Sequence, residues 1–352
     1  MPNRLRGRAA CLALMAIALG ACAPAAQPST VDGETAPRPV IVDVDLDMSD
    51  VFALAVLLRD PKLDVRAILI SSTGLVHCPA GLRNTAYLLK QFGVSGIPIA
   101  CGREDAGPDG RPFPDEWRVG PDAAWGMEIP PQPTTALPED AATLLARAVT
   151  KSPEPPIIIV LGPWTNLEDA FAADPDLAGR IAAIHAMAGT IDAPGNVEVD
   201  GVTAEDRLEW NVAADPSSVA EVLATAIPIT LVPLDATDDV PVPADLADRL
   251  ATDHAAAGAD LAYELLVRSP SRMTDPGQQL WDELAALTVS DPGLVTWEDF
   301  DVVVASDGRL DRSPTGRPVR VAMAADRAAT ERTLLAVLRR GPARTDPFVI
   351  GN

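Results

Sequence analysis

Lysine is almost missing from this chain of 352 residues: Lys62, Lys90 and Lys151 are the only ones. Positive charge as a whole is scarce, with 28 Lys and Arg against 50 Asp and Glu, a formal net charge of -22. A surface of that sign repels phosphate backbones, so the composition argues against nucleic-acid binding and points to cations or neutral small molecules as partners. Heptads, tandem repeats and long low-complexity tracts are also absent, which excludes coiled-coil and solenoid architectures. No apolar run is long enough to cross a bilayer as a mature helix; the longest, Ala9 to Gly20, is too short. Only four cysteines occur.

That short apolar run has a meaning of its own. Arg4, Arg6 and Arg8 precede it, and it ends in Leu19-Gly20-Ala21-Cys22. A basic stretch, an apolar stretch and small residues at a cleavage point make an export signal. The ending resembles a bacterial lipobox, in which Cys22 becomes the lipidated first residue. The expected layout is a lipoprotein signal peptide at 1–21, a small-residue tether at 22–37, and one domain at 38–352. The protein is then exported and held to the membrane through lipid on Cys22. An ordinary secretory signal with Cys22 near the cut is the alternative. Export also permits a disulfide between the remaining Cys78 and Cys101; two free buried thiols is the other reading.

From residue 40 onward the pattern alternates. Apolar, β-rich runs fall at 40–44, 65–70, 97–100, 157–161, 184–187, 229–234, 302–304 and 319–323. Segments with helical spacing lie between most of them, including 51–58, 80–92, 141–150, 217–225, 244–266, 280–287 and 328–338. Residues 103–137 are rich in Pro, Gly and charge and read as a long surface excursion. Strands alternating with helices predict an α/β fold: a single large domain with a mostly parallel central sheet flanked by helices. In such sheets ligands sit outside the carboxyl ends of the strands, so those positions carry the chemistry.

The first strand runs into Asp43-Val-Asp45-Leu-Asp47-Met-Ser49-Asp50. Fifty of the 352 residues are acidic, so four in eight is a concentrated cluster. Crowded carboxylates repel unless they share a cation or a proton, and a hard cation with oxygen ligands is the simplest remedy. A solvated loop that caps the next helix is the bland alternative. An Asp-x-Asp after an apolar strand also opens the haloacid-dehalogenase phosphatases. Those require a lysine after a later strand, and none follows Lys151. Further strand ends carry Gly162-Pro163-Trp164-Thr165-Asn166, Gly195-Asn196-Val197, Glu209-Trp210-Asn211 and Leu280-Trp281-Asp282. Buried amides and carboxylates of this kind suit sugar hydroxyls.

Taken together these segments resemble the calcium-dependent nucleoside hydrolases of the inosine–uridine type. That family opens with Asp-x-Asp-x-x-x-Asp-Asp, and Asp43, Asp45, Ser49 and Asp50 stand on its four acids. Leu161-Gly-Pro-Trp-Thr-Asn166, Asp174-Pro-Asp-Leu177, Glu209-Trp-Asn-Val-Ala-Ala-Asp-Pro216 and Ile227-Pro-Ile-Thr-Leu231 follow in the family's order. The resemblance implies hydrolysis of the N-glycosidic bond of a small-molecule nucleoside. It implies one Ca2+ held by Asp45, Asp50, the Thr165 carbonyl and Asp282, with Asp45 as general base. It places Ser49, Asn196, Glu209 and Asn211 against the ribose. Trp281 stands where many relatives carry a leaving-group histidine and the purine-preferring branch a tryptophan, so a purine preference is implied. A homo-oligomer is implied too, although no segment identifies an interface. Two positions depart from the pattern. Ser49 replaces an acid, and Leu75 stands where an asparagine is expected. His77, in a Thr-Gly-x-x-His-Cys stretch shared with a divergent bacterial branch, is a candidate proton donor or a structural histidine. The departures leave a second expectation: a catalytically weakened lipoprotein of the same fold that binds metal and nucleoside.

Overall fold

The computed structural model describes residues 36–130 and 139–343. The expected signal peptide and Cys22, and all of the tether but residues 36 and 37, lie outside them. The elements run β1 (Arg38–Val44), α1 (Met48–Arg59), β2 (Leu63–Ile70), α2 (Cys78–Gln91), β3 (Ile99–Cys101), α3 (Asp115–Asp122), α4 (Ala141–Lys151), β4 (Ile157–Val160) and α5 (Thr165–Ala173). They continue with β5 (Ala183–Ala186), α6 (Trp210–Ala213), α7 (Pro216–Leu223), β6 (Ile229–Leu231), α8 (Leu234–Thr237), α9 (Leu246–Ala251), α10 (Ala257–Arg268), α11 (Ser271–Thr274) and α12 (Trp281–Thr288). The last are β7 (Val295–Val304), β8 (Leu310–Arg312), β9 (Arg317–Ala325) and α13 (Arg327–Leu338).

Nine strands form one sheet in the order β3-β2-β1-β4-β5-β6-β9-β7-β8. Pairing is parallel from β3 to β9 and antiparallel where β7 meets β9 and β8. The expected mostly parallel α/β domain is therefore what the chain builds. β1 shows why. Its side chains alternate between faces, and Val40, Ile41, Val42 and Val44 are apolar. Val40, Val42 and Val44 enter one core with α1, α2, α10, α12 and α13. Ile41 enters the other, with α4, α5 and α7. A strand buried on both faces reads as a continuous apolar run, as 157–161 does too.

Three expectations about elements need correction. The β7 strand starts at 295, not 302, because Thr296 to Asp301 is charged and half-exposed rather than apolar. Those residues pair with β9 as an antiparallel flank, where Arg320 lies over the Trp297 ring and Arg312 over Phe300. The continuous helix expected over 244–266 breaks into α9 and α10, and His254 in the gap bonds Asp260 of α10 at 2.9 Å. The 103–137 excursion contains α3 and buries Phe113 and Arg118. Cys78 and Cys101 form a disulfide with a Cα separation of 5.6 Å, within the normal span. It ties the start of α2 to the end of β3.

His185 was not singled out by its sequence context, yet it fastens β5 to α12. Its Nε2 lies 3.0 Å from both the Ala285 carbonyl and the Thr288 hydroxyl. Burial pushes its pKa down to about 4, against the pull of the Ala285 carbonyl. The native value lies below the ordinary histidine value of 6.5, so the unfolded chain takes the proton first. Stability held at neutrality is then lost as pH falls from 6.5 through 4, by about 2 kcal/mol between pH 7.5 and 5. Urea titrations of wild type and His185→Gln at both pH values check this. The wild type should lose about 2 kcal/mol more than the variant over that interval; parallel losses would refute it.

Candidate active site

The chain fills β2 and β3 on one side of β1, then returns to place β4, β5 and β6 on the other. That reversal between β1 and β4 opens a crevice at their carboxyl ends, the usual ligand position in an open α/β sheet. The acidic run and the Gly162–Asn166 segment both emerge there.

Along β1 the residue after Ile41 and Val42 is Asp43, on the Ile41 face. It is fully buried, and Asn166 Nδ2 from α5 donates to its Oδ1 at 2.8 Å. Burial pushes its carboxyl up to about 8; the Asn166 bond opposes this and the charge of Asp45 adds to it. Asp45 follows. Burial pushes it up to about 6, a hydrogen bond with Asp50 opposes, and Asp47 adds repulsion. The Leu75 N–H donates to Asp45 Oδ2 at 3.2 Å. Leu46 then turns the chain with φ of +59°, a left-handed geometry that costs a non-glycine residue roughly 1–2 kcal/mol. Its buried side chain in the α1 core offsets that cost. Asp47 takes the N-cap position of α1, and its N–H donates to Asp50 Oδ2 at 2.9 Å. It is thus part of the turn.

Asp50 and Asp282 come together from α1 and α12, more than two hundred residues apart. Burial pushes both carboxyls well up, and the charge of Asp282 is the second cause at Asp50. Ser49 Oγ donates to Asp282 Oδ2 at 2.5 Å. The Ser49 hydroxyl is therefore spent on supporting Asp282, and only its lone pairs remain for a ligand. Thr165, at the start of α5, donates its hydroxyl to Asp215 Oδ2 at 2.8 Å and lies 3.0 Å from the Thr73 hydroxyl. Its side chain is held in place from two sides. Two glycines flank Asp45. A Cβ on Gly74 would fall 2.2 Å from Asp45 Oδ2, and one on Gly162 would fall 2.9 Å from Asp45 Cβ.

Do these residues fit a cation? Asp43 Oδ2, Asp50 Oδ1 and Asp282 Oδ1 are buried without a hydrogen-bond partner. Unpartnered buried carboxylate oxygens with raised pKa are what a hard, oxygen-seeking ion relieves. No Arg or Lys among the described residues pairs with Asp43, Asp45, Asp50 or Asp282. No group of three or more His, Cys, Asp or Glu side chains forms a ready ligand set among the described residues either. Here the acids turn inward: Asp45 bonds Asp50, and Ser49 bonds Asp282. The donor set fits the ion in chemistry, and its closing geometry depends on that inward bonding being exchanged for ligation.

Three of the residues expected at the sugar, Asn196, Glu209 and Asn211, gather around the segments that follow β4 and β5. Glu209 caps α6: its Oε1 accepts from Asn211 N–H at 2.9 Å and its Oε2 from Gly189 N–H at 2.8 Å. Burial pushes it up to about 7, against those backbone bonds. Asn211 Nδ2 donates to the Leu161 and Met187 carbonyls, both at 3.0 Å, which ties the ends of β4 and β5. Asn196 Oδ1 accepts from the Trp210 N–H at 3.2 Å. All three are anchored by backbone, so what they offer a ligand is their remaining groups: Asn196 Nδ2, Asn211 Oδ1 and the outer lone pairs of Glu209. Trp210 stacks on Phe113 at 4.5 Å and meets the exposed Trp117 edge-on at 5.2 Å. Leu75 packs against that cluster.

Trp281 is half-buried at the start of α12, with the Arg272 guanidinium 5.4 Å from its ring. Arg272 also bonds Glu283 at 3.0 Å and Gln278 at 2.7 Å. Trp164 is fully buried in the α4–α5 core. His77 sits at the N-cap of α2, bonded to Asp122.

Several positioning residues escaped the sequence reading. Arg103 reaches from the end of β3 to Glu168, Asp169 and Asp215, and Arg118 donates to the Ser72 carbonyl at 2.6 Å. Asp215 alone had a signal, because an Asp followed by Pro marks a helix start.

The model of the family described as inosine-uridine preferring nucleoside hydrolase matches residues 40–332. A pyrimidine-specific ribonucleoside hydrolase RihA from Citrobacter koseri is 30% identical over 226 residues, 60% of this chain. The matched stretch spans 64% of that relative's length. Among solved structures, an inosine-uridine preferring nucleoside hydrolase from Bacillus anthracis superposes with a TM-score of 0.73 at 22% identity, over 86% of this chain and 99% of that one. A purine-preferring ribonucleoside hydrolase from Gardnerella vaginalis gives 0.73 at 20%, over 86% and 98%.

Proposed function

We propose, from the premise that the chain belongs to the inosine-uridine preferring nucleoside hydrolase family, that it hydrolyses the N-glycosidic bond of ribonucleosides. The observation that carries this reading is Asp45: a buried carboxyl at the switch point of the sheet, pushed up to about 6 and walled by two glycines. A base works best when its pKa lies near the operating pH. Asp45 takes the proton of a water as its oxygen joins the anomeric carbon. The bond to the base breaks through an oxocarbenium-like state. Asn196, Glu209 and Asn211, held by backbone, meet the sugar; Ser49 keeps Asp282 in place and offers its lone pairs.

Asp45, Asp50, Asp282 and the Thr165 carbonyl would hold a divalent ion, calcium in this reading, because every donor is oxygen. When bound, such an ion supplies acidification of water and a grip on sugar hydroxyls. Trp281 offers its ring to the base, backed by Arg272. A wide ring favours stacking on a purine, where each stacked base contributes about 1–3 kcal/mol in nucleic-acid sites. The test is base release from inosine and uridine by the calcium-loaded protein. A higher kcat/KM for inosine supports the purine preference, the reverse removes it, and no release from either overturns the activity.

A second reading has two observations in its favour: the Ser49 hydroxyl is committed to Asp282, and Leu75 packs into the Phe113–Trp210 cluster. Both reduce polar contact with a sugar and would leave a nucleoside-binding lipoprotein of weak activity. Calorimetric binding of inosine without turnover would favour it. Export and anchoring through lipid on Cys22 belong to the same proposal and rest on the Arg4–Cys22 signature. Expressed in a bacterium with lipoprotein processing, the wild type should partition into detergent and Cys22→Ser should not; equal partitioning would refute the anchor.

A further inference from the structure

The chain holds three histidines. His185 is locked behind α12, and His254 bonds Asp260 beside Tyr263. His77 differs from both. It occupies the N-cap of α2, at the carboxyl edge of the sheet, yet its side chain makes no capping bond to that helix. Instead the ring turns to α3.

Asp122 grips His77 twice. Its Oδ1 accepts from the His77 N–H at 2.9 Å, and its Oδ2 lies 2.7 Å from Nδ1. A carboxylate can only accept, so Nδ1 carries the hydrogen and Nε2 is the nitrogen left outward. The mount is rigid. Arg83 donates to the Asp122 carbonyl, and Asn84 Nδ2 donates to the Pro121 carbonyl at 2.7 Å. The next residue, Cys78, is bonded to Cys101, and its N–H donates to Glu104 at 2.9 Å. The ring itself is open, with 40% of the side chain exposed. Two residues upstream, Leu75 touches the Asp45 carboxylate. A fixed imidazole with a free nitrogen thus stands on the rim of the crevice that holds the general base.

The geometry points to His77, positioned by Asp122, as the group that protonates the departing base; this rests on the nucleoside reading of the same site. The C1′–N bond breaks and its electron pair goes to the base nitrogen, which takes the Nε2 proton of the His77 imidazolium. The water oxygen bonds to C1′ and its proton passes to Asp45. One nucleoside and one water become free base and ribose. His77 regains its proton from solvent, and Asp45 releases one to it.

The experiment compares two leaving groups. Inosine needs a proton on its departing base, whereas p-nitrophenyl riboside releases a stable phenolate and needs none. Wild type, His77→Gln and Asp122→Asn are assayed on both as calcium-loaded full-length protein, with Tm recorded. His77→Gln should lose at least about 100-fold in kcat on inosine, the usual share of a general acid, and keep its rate on p-nitrophenyl riboside within about threefold. Asp122→Asn retains an acceptor for the His77 N–H and should lose about 10-fold, again on inosine alone. It carries the test if His77→Gln does not fold. Equal losses on both substrates, or none on either, overturn the proposal while the nucleoside reading stands. A wild type inactive on both overturns the reading itself.

Discussion

Asp45→Asn should lower kcat on a ribonucleoside by at least about 1,000-fold, within the range set by removing a positioned general base. Asparagine has the same shape, and its carbonyl oxygen can still accept the Leu75 N–H that Asp45 Oδ2 accepts now. What disappears is the group that takes the proton of water. Without added cation the variant should also be no less stable than wild type. Burial disfavours the charged carboxyl, and the neighbouring acids add repulsion. A neutral amide escapes both. The check is single-turnover base release together with a thermal melt in chelator. An Asp45→Asn protein that keeps a tenth or more of the wild-type rate would remove Asp45 as the base.

The second large effect concerns the ion. Chelation should abolish base release, and calcium should restore it. At calcium one hundred times its dissociation constant, binding to the native state alone stabilises it by about 2.7 kcal/mol, which lifts Tm by about 5 °C in a domain of this size. The observation behind this is the set of buried, unpartnered oxygens at Asp43, Asp50 and Asp282. Asp50→Asn and Asp282→Asn should each blunt the calcium-dependent rise, whereas a surface change such as Asp64→Asn should not. Calcium should outperform magnesium, because an oxygen-rich site of irregular geometry suits the larger ion. A melt indifferent to calcium, chelator and both substitutions would remove the metal from the reading.

Much of this site was legible in the sequence for a physical reason. A strand buried on both faces must be apolar, so Val40 to Val42 and Ile157 to Val160 announce themselves, and acids directly after such a run stand at a ligand edge. Asp45, Asp50 and Thr165 are found that way, and Asp282 through the family pattern. Contacts between distant loops leave no such trace. Nothing local in Ser49 says that its hydroxyl meets Asp282, and nothing in His77 says that its partner lies in α3 forty-five residues on. The excursion after β3 looked like surface because Pro, Gly and charge dominate it. Arg118 is nonetheless buried there, with its Nη2 donating to the Ser72 carbonyl. The β7 flank was missed for the opposite reason: an antiparallel strand with one open face need not be apolar.

The paired glycines around Asp45 also limit how this pocket can be rebuilt. Serine or alanine at residue 74 is a single-base change from many glycine codons, yet either would drive a carbon into the Asp45 carboxylate. In a saturation library both glycines should be as intolerant as the acid they enclose, although neither carries a functional group. A redesign toward a bulkier sugar therefore has to take its room from the Leu75, Phe113 and Trp210 wall, where side chains can be shortened one at a time without moving the base.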